Sequence, residues 1–175
     1  MTDTDTADAR TPTAVVVCGL PGVGKTTVAE AVADRVGGRL LRTDVVRKEI
    51  LADPEYTDEE SRIVYDAVFE RAEATLESGR SAVLDGTFKA ADLRERARTL
   101  ADATGAAFRL VRVECDKSDV RERIAAREDD ASDADFAVHA QFREEFEPLA
   151  RDHVTVDNSR GIAETRRQVA DHFPE

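Results

Sequence analysis

Residues 14–31 read AVVVCGLPGVGKTTVAEA, and this stretch decides the fold. Ala14 to Cys18 is a run of small and β-branched residues, the pattern of a strand buried in a parallel sheet. The run breaks at Gly19-Leu20-Pro21-Gly22-Val23-Gly24. Lys25-Thr26-Thr27 then opens a segment in which Val28, Ala31, Val32 and Val36 recur at helical spacing. Together these residues spell G-x-x-x-x-G-K-[ST] between a strand and a helix. Gly19, Gly22 and Gly24 let the backbone come close to a ligand. Successive N–H groups can then converge on one concavity, to which the following helix N-terminus adds positive potential. Gly19, Leu20, Pro21, Gly22, Val23, Gly24, Lys25, Thr26 and Thr27 are therefore predicted to cradle ATP. Lys25 reaches the β- and γ-phosphates, and the Thr26 hydroxyl ligates Mg²⁺. The motif alone does not separate a kinase from an ATPase or a GTPase. A GTPase is disfavoured because no N-K-x-D occurs in the sequence.

Composition narrows the setting. A chain of 175 residues is expected to form one domain, at 13–175, behind a disordered Thr/Asp-rich tail at 1–12. There are 37 acidic and 25 basic residues, a net charge of −12, and lysine occurs only at positions 25, 48, 89 and 117. This acidic, lysine-poor balance suggests a halophilic protein of a salty cytoplasm. It argues against nonspecific binding to nucleic acid or to an anionic membrane. Neither a signal peptide nor an apolar run of membrane-spanning length is seen. Cys18 and Cys115 read as small apolar residues, and His139, His153 and His172 lack metal-ligand spacing.

Strands and helices are expected to alternate along the chain. Strands are predicted at 39–42, 81–84, 107–113 and 154–156. Helices are predicted at 43–51, capped by Thr43 or Asp44, at 59–78, at 90–104, from Ser118 to about Arg127, at 136–146 and at 162–172. An acidic loop, 128–135, separates the two helices before the last strand, and the lid is expected at about 127–137. Such alternation implies right-handed crossovers and a parallel sheet covered on both faces.

Three further segments carry candidate chemistry. Ser81-Ala82-Val83-Leu84-Asp85 is a short apolar strand ending in an acid, and Asp85 is placed to support the metal. Asp44 and Arg47 share a face at the start of a helix, at the carboxyl end of the second strand, where ligands of open α/β sheets sit. Asp44 can take a proton from an acceptor hydroxyl, and Arg47 can hold an anionic group. The plainer alternative is a capping acid with an intrahelical ion pair. Arg123 and Arg127 lie on one helical face and can close over ATP, Arg127 neutralising charge on the transferred group. The alternative here is a solvated charged face. Thr87, Phe88 and Lys89 follow Asp85 and are placed to line an acceptor pocket, with Gln141 and Arg143 as weaker candidates. The loop 157–160 stands where small phosphate-loop kinases wrap the base, through backbone contacts.

On these residues the chain resembles small P-loop kinases of the predicted-kinase, zeta-toxin-like group. They are relatives of polynucleotide 5′-kinases, adenylylsulfate kinases and chloramphenicol phosphotransferases. The shared features are GLPGVGKTT, the D-x-x-R of Asp44 and Arg47, VLDGTF at 83–88, and RERIAAR at 121–127 followed by DASDAD. The resemblance implies a three-layer α/β P-loop fold with sheet order 2-3-1-4-5. It also implies Asp44 as general base or substrate anchor, Arg47 on the substrate, and lid arginines on the ATP phosphates. The expected activity is transfer of the γ-phosphoryl group from Mg·ATP to a hydroxyl of a small molecule. A polynucleotide 5′-hydroxyl kinase and a nucleotide-dependent switch that binds a protein partner are the alternatives.

Overall fold

The computed structural model describes residues 10–126 and 132–175. Five strands form one parallel sheet: β1 (Thr13–Cys18), β2 (Arg39–Arg42), β3 (Ala82–Asp85), β4 (Ala107–Glu114) and β5 (Val154–Asp157). Their order is β2-β3-β1-β4-β5, as the resemblance implies. Among the described residues, α1 (Lys25–Val36), α2 (Thr43–Ile50), α3 (Asp58–Glu77), α4 (Ala91–Thr104), α5 (Lys117–Ala125) and α6 (Ser132–Glu145) lie between the strands, and α7 (Ile162–His172) follows β5.

The alternation of β1 divides the interior in two. Ala14, Val16 and Cys18 face a core filled by Val64, Val68 and Phe69 of α3, by Ala97 and Ala101 of α4, and by Phe88. Val15 and Val17 face the opposite core, with Val28 and Val32 of α1, Val120 and Ile124 of α5, and Val169 of α7. This period-2 division explains why β1 reads as continuously apolar, since a central strand covered by helices on both faces has no solvent side. The central position of β1 also fixes the site. The loop after β1 emerges at the carboxyl edge of the sheet, flanked by the ends of β3 and β4.

Several boundaries differ from the sequence reading, each for a local reason. β2 runs into α2 without a connecting residue, so Arg42 occupies the N-cap position in extended geometry. Thr43 and Asp44 lie inside the first turn and do not cap it. Ser118 does not cap α5 either. The cap position is Asp116, whose N–H donates to Ser159 Oγ at 2.7 Å and ties the start of α5 to the loop after β5. α3 starts at Asp58, one residue before the expected start. Thr57 accepts from the Glu60 N–H through its side chain, and the Glu60 carboxylate accepts from the N–H groups of Glu55 and Tyr56. That is a T-x-x-E capping arrangement. α6 starts at Ser132, so the expected acidic loop is helical over 132–135. The remainder of that loop and the first part of the expected lid lie outside the described residues.

Candidate active site

Between β1 and α1 the chain turns through residues 19–24. Gly22 and Gly24 have φ of 85° and 86°, the left-handed region that costs a residue with a Cβ about 1–2 kcal/mol. Space forbids a side chain too. A Cβ on Gly22 would press on Val120 and Ile124 of α5, and one on Gly24 would overlap the Asn158 amide.

Three carbonyls of this loop are taken by side chains. Lys25 Nζ donates to the Leu20 carbonyl at 3.0 Å. His139 Nδ1 donates to the Pro21 carbonyl at 2.6 Å; the carbonyl can only accept, so Nδ1 carries the proton. Asn158 Nδ2 donates to the Val23 carbonyl at 2.9 Å, and Arg123 Nη1 reaches the same oxygen at 3.3 Å. At the loop entrance, the Gly19 N–H donates to the Thr87 carbonyl at 3.4 Å. Thr27 lies half-buried in the first turn of α1.

The Thr26 hydroxyl donates to Asp85 Oδ2 at 2.9 Å. Asp85 closes β3 and is 5% exposed. Burial raises its carboxyl above the usual carboxylate range, opposed by the Thr26 hydrogen bond and the charges of Lys25 and Arg42. Arg42 Nε lies 3.6 Å from the same carboxylate. A hydroxyl and a carboxylate oxygen side by side are a donor pair for a hard divalent cation, so Thr26 and Asp85 fit Mg²⁺.

The second half of the site lies where the neighbouring strand runs into α2. β2 and β3 pair with Arg42 opposite Asp85. Asp44, two residues beyond Arg42, therefore stands at the same edge of the sheet as Asp85. It is exposed, and its charge is felt by Asp85 and by Tyr65, whose phenol burial pushes up to about 12. Arg47 is directed toward α3. Its guanidinium is 3.6 Å from Glu60, 3.4 Å from Ser61 Oγ, and 4.9 Å from the centre of the Tyr56 ring. Tyr56 is 68% exposed at φ 58°, its N–H held by Glu60.

Thr87 is half-buried beyond Asp85. Phe88 is fully buried at φ 46°, its N–H donates to Tyr65 Oη at 3.1 Å, and its ring meets Tyr65 edge-on. Lys89 turns to α6, where it pairs with Glu145 and lies 4.2 Å from the centre of the Phe142 ring. Arg123 engages the carbonyls of Val23 and Asn158, the latter at 2.7 Å. Arg127 lies outside the described residues. Gln141 bonds Glu145 on its own helix.

Three residues join the site that the sequence did not single out for it, and a fourth, Asn158, lies in the 157–160 loop expected to act through its backbone at the base but reaches the phosphate loop with its side chain. Asn158, Thr165 and His139 back the phosphate loop. Arg94, 4% exposed, donates to the carbonyls of Phe88, Lys89, Glu147 and Pro148, tying the segment after β3 to the segment after α6.

Residues 15–149 match a family of AAA domains, AAA_33. The chain belongs to that family. An uncharacterized protein of Mycobacterium tuberculosis (strain ATCC 25618 / H37Rv) is 34% identical to this AAA_33 chain over 131 residues, 68% of the chain and 26% of the relative. The chain thus spans about a quarter of the length of that relative. Among solved structures, a putative kinase from Chloroflexus aurantiacus superposes with a TM-score of 0.71 at 23% identity, covering 93% of this chain and 96% of that one. An APS kinase of Mycobacterium tuberculosis, solved in complex with AMPPNP and APS, superposes with a TM-score of 0.70 at 18% identity, covering 94% and 99%. The AAA_33 chain therefore has the fold of small P-loop kinases. No helix among its described residues is long and apolar enough to cross a membrane.

Proposed function

We propose that this AAA_33 chain is a kinase that transfers the γ-phosphoryl group of Mg·ATP to a hydroxyl of a small, anion-bearing molecule. The observation that carries this reading is the β2–β3 register. It sets Arg42 opposite Asp85 and so brings the first turn of α2, with Asp44, to the sheet edge where the Asp85 carboxylate accepts from the Thr26 hydroxyl of the phosphate loop. One carboxylate thus belongs to the nucleotide end, and a second, solvent-accessible one stands beside it. A phosphoryl transfer to an alcohol needs that division.

In this reading the loop amides and Lys25 grip the β- and γ-phosphates, and Thr26 and Asp85 hold Mg²⁺. When bound there, the ion neutralises charge on the phosphate oxygens. Asp44 accepts the proton of the acceptor hydroxyl, and Arg47 binds an anionic group on the same molecule. Thr87 and Lys89 border the acceptor, with Lys89 exchanging Glu145 for it. Arg123 and Arg127 serve the nucleotide from the lid. Most of the rate comes from positioning and electrostatics. The acidic surface supports work in a salty cytoplasm and does not favour a nucleic-acid acceptor.

The test is a screen of hydroxyl metabolites and 5′-hydroxyl oligonucleotides with γ-labelled ATP at high salt. Label in a small molecule is expected. Label only in oligonucleotides, or phosphate release that no alcohol diverts, overturns the reading in favour of an end kinase or a nucleotide-driven switch.

A further inference from the structure

The loop after β5 carries a side chain aimed at the phosphate loop from behind. Asn158 is 6% exposed, and each polar atom of its amide has a partner. Nδ2 donates to the Val23 carbonyl at 2.9 Å, and Oδ1 accepts from the Thr165 hydroxyl at 2.6 Å. Its own backbone is fixed as well, since its N–H donates to Glu114 at the end of β4 and its carbonyl accepts from Arg123. Thr165 is fully buried in the first turns of α7. The chain from α7 through Thr165 and Asn158 to Val23 is therefore hydrogen-bonded at each link.

The consequence for the loop follows from the planar peptide. In a trans peptide the C=O of one residue and the N–H of the next point in opposite directions. Drawing the Val23 carbonyl toward Asn158 turns the Gly24 N–H the other way. The contact also explains why residue 24 is glycine, for the Asn158 amide occupies the space a Cβ would need. The Val23 oxygen can only accept, so a donor is required opposite it. An aspartate at 158 would set a carboxylate oxygen against that carbonyl, which favours rotating the peptide and with it the Gly24 amide.

We infer that Asn158, oriented by Thr165, is a positioning residue for nucleotide binding: it holds the Val23–Gly24 peptide so that the Gly24 amide faces the phosphates. The inference rests on the phosphate-loop reading given above. Asn158 touches the loop and has no assigned role in the reaction itself. Its removal is felt in nucleotide affinity, whereas acceptor binding is not reached.

The experiment measures the affinity of AMPPNP with Mg²⁺ in the full chain. The proteins are wild type, Lys25→Ala, Asn158→Asp, Thr165→Val and Thr165→Ser, with thermal melts recorded alongside. Asn158→Asp is expected to weaken AMPPNP binding by about tenfold or more, on the scale of a misplaced binding group. Thr165→Val, which keeps the amide but frees it to turn, is expected to weaken binding about threefold to tenfold. Thr165→Ser restores the hydroxyl and is expected to bind as wild type does. A structural role alone lowers the melting temperature of both variants and leaves the affinity of the folded protein unchanged; that result overturns the inference. Should Asn158→Asp not fold, Thr165→Val against Thr165→Ser decides by the same criterion. Wild type binding no better than Lys25→Ala overturns the phosphate-loop reading, and this inference falls with it.

Discussion

At the phosphate loop the polar groups are buried and answered. Asn158 and His139 are 6% and 4% exposed, and each donates to a loop carbonyl. Asp85 is 5% exposed and holds Thr26. At the proposed acceptor end the reverse holds. Asp44 is exposed, Tyr56 is 68% exposed, and Arg47 rests between an ion pair and a ring on a short irregular segment. The first end is preorganised by side chains from three distant elements, and the second is built from one helix turn and a loop. In the proposed reading, the first suits a ligand with an invariant triphosphate. The second can be reshaped for a new alcohol without disturbing the sheet.

Substitutions can break or sharpen this contrast. Lys25→Ala is expected to abolish ATP turnover while the melt stays cooperative; full turnover would remove the phosphate end of the comparison. Asp44→Asn is expected to lower transfer to the acceptor by about 10²-fold or more, the scale of a lost general base, with AMPPNP affinity unchanged. Wild-type transfer would return Asp44 to a merely electrostatic place at a helix start. Phe88→Ala, which empties a fully buried site shared with Tyr65 and Phe69, is expected to cost about 3–5 kcal/mol in denaturant titrations. A loss under 1 kcal/mol would mean that the space left beside Tyr65 and Phe69 closes readily.

Arg47→Lys is expected to raise the acceptor KM about tenfold with the ATP KM unchanged, because lysine lacks the planar fork. A rise in both would show that the ends are not separable. The smallest effect concerns Glu60. Hydrogen bonds from the Glu55, Tyr56 and Thr57 amides hold its carboxyl below the usual 4.5, with Arg47 adding to them. A depressed carboxyl stabilises the folded form above its ordinary value, and the contribution is lost as pH falls through the depressed one. Amide protection at residues 55–57 is therefore expected to be pH-independent above 4.5 and to drop below it, and Glu60→Gln to remove the drop.

The parts legible in the sequence were those whose signals are local. The strand, the glycines and Lys25-Thr26 lie in one run, and a strand ending in Asp85 needs only its own residues to be seen. The sheet order came with the resemblance those runs carried. The Thr57-x-x-Glu60 cap is also written in one short stretch, although apolar periodicity alone starts the helix at 59. What escaped was held by distance. Asn158 and Val23 are 135 residues apart, and His139 and Pro21 are 118 apart. No spacing rule links such pairs, and an isolated Asn after a strand looks like any turn residue. Ser118 was misjudged for the same reason, since the group that meets the start of α5 is Ser159, 43 residues from Asp116.

The junction of β2 and α2 has a consequence for how such chains can vary. With no residue between Arg42 and Thr43, the carboxylate of Asp44 inherits its bearing directly from the sheet. Inserting a single amino acid there would rotate the helix start by about 100° and swing the acid out of register with its neighbour on β3. Length changes beyond Ile50 carry no such penalty. Natural insertions and engineered loops should therefore cluster after residue 50, where the chain can be lengthened while the two acids stay at one edge of the sheet.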